Sequence, residues 1–254
     1  MTMIQTRTNA PRPANTPAGA ASIARISPTL SPDRTALILI DFQNEWFHPE
    51  GAYARTGFDI SHMTRTVEPT VELVNFCHEH DIPVICLTYV CRGRIDGGPV
   101  FDKRPALRDD GGKGLREGTF GVKVIPELPL SAEKYGDWFI ERKRMSGFYQ
   151  TGLEQLLRDL GRDTVLITGV ATGSCCESTA RDANFRNFNA VMVHDCLGTI
   201  GGTTLHPITR EEHHVTAEEM HFASLRNCQM IVCDVLSSQE CMAELSGPGD
   251  GERA

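Results

Sequence analysis

A chain of 254 residues that is 40% apolar and 23% charged has the composition of an ordinary globular protein, near the upper size for one α/β domain. Its formal charge of -8 gives no basic footprint for a phosphate backbone, and no apolar run reaches the about 18 residues a membrane span needs. Nucleic acid and membrane are therefore excluded as expected partners in favour of small molecules, and the lack of a continuous apolar N-terminal stretch puts the expected location in the cytoplasm.

Residues 1–30 are rich in Ala, Pro, Thr and Ser and carry Arg7, Arg12 and Arg25 without an acidic residue, the pattern of a disordered tail. A transit peptide shares that balance, but a flexible tail is the commoner cause. Residues 247–254 read as a second loose end, leaving one domain over 31–246. Within it, six apolar runs suit strands buried on both faces: Ala36 to Ile40, Val84 to Val90, Trp138 to Ile140, Val165 to Thr168, Ala190 to Val193 and Met230 to Val232. Helical patterns alternate with them. One begins near Pro69 and turns Val71, Val74 and Cys77 inward. Another places Leu153, Leu156, Leu157 and Leu160 on one stripe and stops at Gly161, and a third starts at Thr216, where Thr216 and Glu219 form a capping box.

Strands separated by helices need crossovers, which predicts a doubly wound, mostly parallel six-stranded sheet of order 3-2-1-4-5-6 with helices on both faces. Strands 1 and 4 then meet where the winding reverses, and ligands bind beyond their carboxyl ends. The stretch from Arg92 to Asp137, with Gly97-Gly98-Pro99 and Gly111-Gly112, is too long for a plain connector and reads as a lid or an oligomer contact.

Nine cysteines form no C-x-x-C pair and no Cys/His cluster at metal spacing, and most sit inside apolar runs, as packed thiols do. Cys175 differs. It follows strand 4 in Gly169-Val170-Ala171-Thr172-Gly173-Ser174-Cys175-Cys176-Glu177-Ser178-Thr179, at the first turn of a helix, where the macrodipole and unpaired amides favour a thiolate and can hold an oxyanion. Asp41 directly follows strand 1. Alone, it reads better as a turn cap, and Cys175 alone as one more packed thiol; the proposed topology brings both to one cleft.

Asp41-Phe42-Gln43-Asn44, Arg144-Met145-Ser146-Gly147-Phe148-Tyr149-Gln150-Thr151 and the Gly169 to Thr179 segment, in that order, resemble the isochorismatase-like cysteine hydrolases over about residues 35 to 235. Within that superfamily the resemblance is to ureide and amide hydrolases of the ureidoacrylate amidohydrolase and biuret hydrolase kind, with Asp59 of Gly57-Phe58-Asp59 also matching. The resemblance implies a triad of Asp, Lys and Cys, no cofactor, and a cis peptide four residues before the nucleophile. On this chain that means Asp41, Cys175, a cis bond between Val170 and Ala171, and oxyanion donors at the amides of Ala171 and Cys175. Arg142 stands where the family has its lysine, and Lys143 follows it, so either fills the basic position at this stage. A guanidinium stays protonated and supplies charge but no acid/base function. Gln43 and Arg92 are the expected substrate contacts, with Arg94 and Arg116 as further loop cations.

Tyr89-Val90-Cys91-Arg92-Gly93 lacks the Asp-x-His of metal-dependent relatives of this fold, so no metal is expected. The chemistry implied is hydrolysis of a small linear amide or ureide through a thioester, in a homo-oligomer, either dimer or tetramer. Two other readings fit the sequence: a binding or regulatory protein that kept the fold and lost efficient catalysis at Arg142, and a thiol redox protein using Cys175 and Cys176. The last is disfavoured, because vicinal cysteines close a strained ring.

Overall fold

In the computed structural model, residues 24–93, 96–99 and 115–247 are described. Most of the expected N-terminal tail, the C-terminal end from 248, Arg94 and the Gly111-Gly112 part of the long loop lie outside them. Eight strands occur among these residues: β1 (Thr35–Ile40), β2 (Val84–Tyr89), β3 (Trp138–Arg142), β4 (Thr164–Val170), β5 (Asn189–Gly198), β6 (Gly202–Leu205), β7 (Glu212–Val215) and β8 (Asp234–Leu236). Six of them form one sheet in the order β3-β2-β1-β4-β5-β8, with every neighbouring pair parallel. That is the expected doubly wound order, with β8 as sixth member because the antiparallel hairpin β6-β7 intervenes. The hairpin left no apolar run to read; its strands are Gly-Thr-Thr-Leu and Glu-His-His-Val, exposed almost throughout.

The five longer helices are α1 (Val67–Glu79), α2 (Leu153–Asp159), α3 (Glu177–Phe185), α4 (Ala217–Ile231) and α5 (Ser238–Leu245). They cover both faces, and the pleat of the sheet sorts its side chains between them. Ala36, Ile38 and Ile40 of β1 pack with Leu153 and Leu157 of α2, Ala180 and Ala183 of α3, and Cys228 of α4. Leu37 and Leu39 point the other way, to Leu73, Val74 and Cys77 of α1 and Cys241 and Leu245 of α5. Gly161 sits at φ 68 just past α2, and the Thr216/Glu219 capping box opens α4, both as the sequence implied. α1 begins at Val67, with Pro69 in its first turn and Val71 only half-buried.

Three expectations change. Met230 to Val232 is not the sixth strand: α4 runs through Ile231, whose side chain is 72% exposed, while Cys228 and Val232 pack inward. The strand comes two residues later, where Asp234 also accepts the amides of Ile26 and Ser27 at 2.9 and 2.7 Å. Those bonds, with Arg25 on Glu244 and the Leu30 amide on the same carboxylate at 3.1 Å, dock residues 25–30 on β8 and α5, so the tail boundary falls earlier than residue 30. Finally, β3 is an edge strand, and Trp138 is 45% exposed rather than buried on both faces. No helix among the described residues is long and apolar enough to cross a membrane.

Candidate active site

β1 and β4 are neighbours to their last residues, with Ile40 opposite Gly169. Gly169 takes φ 112, and a Cβ there would overlap the Ile40 carbonyl oxygen, so only glycine lets the strand ends close. Asp41 leaves β1 at φ 58, its amide bonded to Leu87 O at 3.0 Å, and its carboxylate turns into the sheet edge. Beyond β4 the Val170–Ala171 peptide is cis, and Thr172–Cys176 winds as a single π-helical turn into α3. Asp41, Ala171 and Cys175 thereby line one cavity of about 70 Å³.

Arg142 ends β3, two strands away from β1. Its guanidinium crosses the end of β2 over the Tyr89 ring, 4.9 Å from the centroid, and its Nη2 donates to Asp41 Oδ2. Nη1 donates to the Arg144 carbonyl. Both partners of the Arg142–Asp41 pair are fully buried, and Arg142 Nε has no hydrogen-bond partner. Lys143, the first residue past β3, faces the opposite way: it is 48% exposed and pairs with Asp96 at 3.2 Å.

Burial pushes the Asp41 carboxyl up, against the Arg142 charge and a hydrogen bond from the Cys175 thiol, both of which favour the carboxylate. Burial likewise pushes the Cys175 thiol up to about 11; Arg142 opposes this, and Asp41 adds to it. Burial alone would lower Arg142, but Asp41 and Cys175 hold it above its ordinary value. The three groups thus form one buried, mutually coupled set. Cys176 points away into the core, its Sγ 4.0 Å from Thr168 O, and burial raises its thiol far more.

The structure does not bring Gln43 or Arg92 to the cavity. The Gln43 carboxamide donates to Tyr89 O at 3.1 Å and Val122 O at 2.8 Å and accepts from Tyr89 N at 2.8 Å, so it braces the long loop against β2 with its donors and acceptor occupied. Arg92 spends its guanidinium on Glu117 and Glu141 at the surface. Asp59 is exposed and accepts the Ser61 amide at 2.9 Å, a local turn contact. Arg116 bridges to Cys91 through the backbone.

Sequence reasoning passed over the aromatic wall. Trp46 and Tyr53, in T-shaped contact at 4.5 Å between centroids, face the cavity together with Tyr89, Leu115 and Met145. One signal was available: Tyr89 ends β2 and Trp46 lies just after β1, both at the edge where ligands bind.

The isochorismatase domain matches residues 35–240, and the chain belongs to that family. It is similar to the ureidoacrylate amidohydrolase RutB of Acinetobacter baylyi, 32% identical over 204 residues, which is 74% of this chain and 82% of that protein. Against the same-named protein of Variovorax paradoxus, identity is 31% over 213 residues, or 79% and 83% of the two chains. A cysteine hydrolase crystal structure from Pseudomonas syringae pv. phaseolicola overlays with a TM-score of 0.76 at 24% identity, covering 89% of this chain and 98% of that one. At that identity the overlay speaks for the shared fold.

Proposed function

We propose that the protein is a cysteine-dependent hydrolase of carbon–nitrogen bonds in a small linear amide or ureide. The observation that carries this is the placement of Asp41 and Cys175 on the wall of one small cavity, with Asp41 held from behind by the fully buried Arg142. Similarity to ureidoacrylate amidohydrolases over more than two thirds of the chain supports the bond type.

In this mechanism the Cys175 thiol gives its proton to Asp41 as the sulfur attacks the substrate carbonyl carbon. The carbonyl electron pair moves onto oxygen, which accepts hydrogen bonds from the amides of Ala171 and Cys175. Collapse of the tetrahedral intermediate breaks the carbon–nitrogen bond. Asp41 returns the proton to the leaving nitrogen, releasing ammonia or an amine and leaving a thioester. Asp41 then deprotonates water, which attacks the thioester, and the departing sulfur takes that proton back. Arg142 stays protonated throughout: it fixes the carboxylate and offsets charge on sulfur, and it relays no proton. The apolar wall of Trp46, Tyr53, Leu115 and Met145 excludes water, strengthens each of these interactions and suits a compact substrate with a flat or apolar flank.

Exposed Leu205 and Ile208 around the β6-β7 hairpin and Phe222 on α4 support the expected homo-oligomer, which the mass in solution tests. The function is tested by ammonia release from biuret, ureidoacrylate-like, N-carbamoyl amino acid, maleamate and nicotinamide substrates. At least one amide or ureide is turned over, Cys175→Ala removes that turnover, and Cys176→Ala retains most of it. Retained turnover in Cys175→Ala sinks the mechanism. Binding without turnover across the panel favours instead a binding protein weakened by the arginine at 142.

A further inference from the structure

The turn that carries Cys175 is seated on α4 at two neighbouring points. Thr172, which opens the turn, is fully buried, with its hydroxyl oxygen 3.1 Å from Gly198 O and 2.9 Å from His221 Nδ1. A hydroxyl has one proton. Given to the Gly198 carbonyl, that proton leaves the Thr172 oxygen to accept from His221, which sets the ring in the Nδ1-protonated tautomer. Three residues along α4 on the same face, Ser224 meets the next residue of the turn, Gly173, where a Cβ would overlap Ser224 Oγ.

The seat also reaches the cavity from behind. Gly198 closes on the turn Ser61–Thr64: a Cβ there would lie 2.7 Å from Met63 Cα and 2.9 Å from His62 O, and Met63 lines the cavity. His62 accepts the Thr199 amide at 3.3 Å, and its ring lies 5.0 Å from that of His221. The end of β5 and α4 therefore meet at the Thr172 hydroxyl, and the Ser61–Thr64 turn packs on that end of β5 at Gly198. His221 itself is only 5% exposed and does not line the Cys175 cavity.

Building on Cys175 as nucleophile, we propose that His221 is a positioning residue which, through the Thr172 hydroxyl, holds the nucleophile turn where the Cys175 thiol meets Asp41. The role needs a neutral ring with a steady Nδ1 donor. Burial, with the charges of His62, Arg65 and His194, outweighs Glu218 and lowers the His221 pKa to about 4, so the ring stays neutral above that. A histidine that merely fills space requires none of this: its loss costs stability and leaves the thiol as reactive as before.

The test uses the full chain with His221→Leu, His221→Asn, Thr172→Val and the His221→Leu/Thr172→Val double variant. Asparagine carries its amide nitrogen near the position of Nδ1 and keeps the donor; leucine does not. Two readouts are taken beside a thermal melt: kcat and KM on a substrate of the wild type, and the rate at which iodoacetamide alkylates Cys175, followed by mass spectrometry of its peptide. His221→Leu is expected to lower kcat about tenfold with KM within about twofold, and to slow Cys175 alkylation about threefold or more. His221→Asn restores both, Thr172→Val reproduces the loss, and the double variant is no worse than the poorer single one. A folded His221→Leu with wild-type kcat and alkylation overturns the proposal, as does an asparagine variant no better than leucine. If His221→Leu fails to fold, unchanged alkylation in Thr172→Val overturns it equally. Turnover retained in Cys175→Ala would instead defeat the nucleophile assignment, a separate result that the alkylation readout does not depend on.

Discussion

Arg142 and Lys143 are adjacent, both basic, and both paired with an aspartate, yet they belong to different environments. Arg142 turns inward across Tyr89 to a fully buried Asp41; Lys143 turns outward to Asp96 beside the surface pair of Arg92 with Glu117 and Glu141. Arg142 is the last residue of β3 and Lys143 the first beyond it, where the chain leaves the sheet. The difference teaches that desolvation, not the ion pair itself, decides what such a pair means. A buried charge left without its partner costs about 3–5 kcal/mol, whereas an exposed pair is worth about 0–1 kcal/mol. The inward pair therefore couples folding to chemistry, and the outward pairs do neither strongly.

The largest expected effect follows from removing the inward cation. Arg142→Ala should lower stability by about 3–5 kcal/mol, read as a shift in the urea midpoint, and lower kcat/KM about a hundredfold or more, because Asp41 loses its charge partner. Arg142→Lys keeps charge but loses the second donor that reaches the Arg144 carbonyl, so it should fall between wild type and Arg142→Ala. A folded Arg142→Ala with wild-type kcat/KM would remove Arg142 from the mechanism and leave Asp41 and Cys175 with the backbone donors alone.

Asp41 and Cys175 were legible in sequence, and the reason is geometric. Short apolar runs followed by Asp41 and by the Gly169 to Cys175 segment locate two strand ends, and the strand order joins them. Gap-free matching favours Arg142 over Lys143 there without deciding between them, because the choice depends on β3 carrying no bulge, a one-residue matter of register. Gln43 misled for the opposite reason. Its position after Asp41 looks like a substrate contact, but its amide is satisfied by the backbone of β2 and of a loop some 80 residues downstream, a long-range pairing with no local pattern. Met230 to Val232 misled because an apolar run at a helix end and a short strand look alike until burial is known.

A subtler separation of the two sides lies in pH. With its thiol held up to about 11, Cys175 should be alkylated with a midpoint near that pH, well above an ordinary thiol. Burial raises the value and the Arg142 charge lowers it, so the sign for a variant is fixed: Arg142→Met pushes the midpoint higher, while Lys143→Met leaves it in place. Peptide-resolved alkylation between pH 7 and pH 12 checks both. A midpoint near that of a free thiol would mean that solvent reaches the sulfur far more than the cavity walls allow.

The smallest effects are expected on the outward side, and they are informative because they are small. Lys143→Ala and Arg92→Ala each remove an exposed charge whose partner, Asp96 for one and Glu117 with Glu141 for the other, can be hydrated in its place. Each should change stability by less than about 1 kcal/mol. Asp96 also accepts the amides of Arg92 and Gly93 at 2.7 and 3.0 Å, so losing Lys143 leaves that carboxylate anchored and the loop start in place. Turnover should then stay within about twofold of wild type in both variants, since neither side chain reaches Asp41 or Cys175. If Arg92→Ala instead raised KM strongly while kcat held, the Arg92 guanidinium would have to exchange its surface glutamates for substrate. The boundary between the inward and outward sides would then move when a ligand binds.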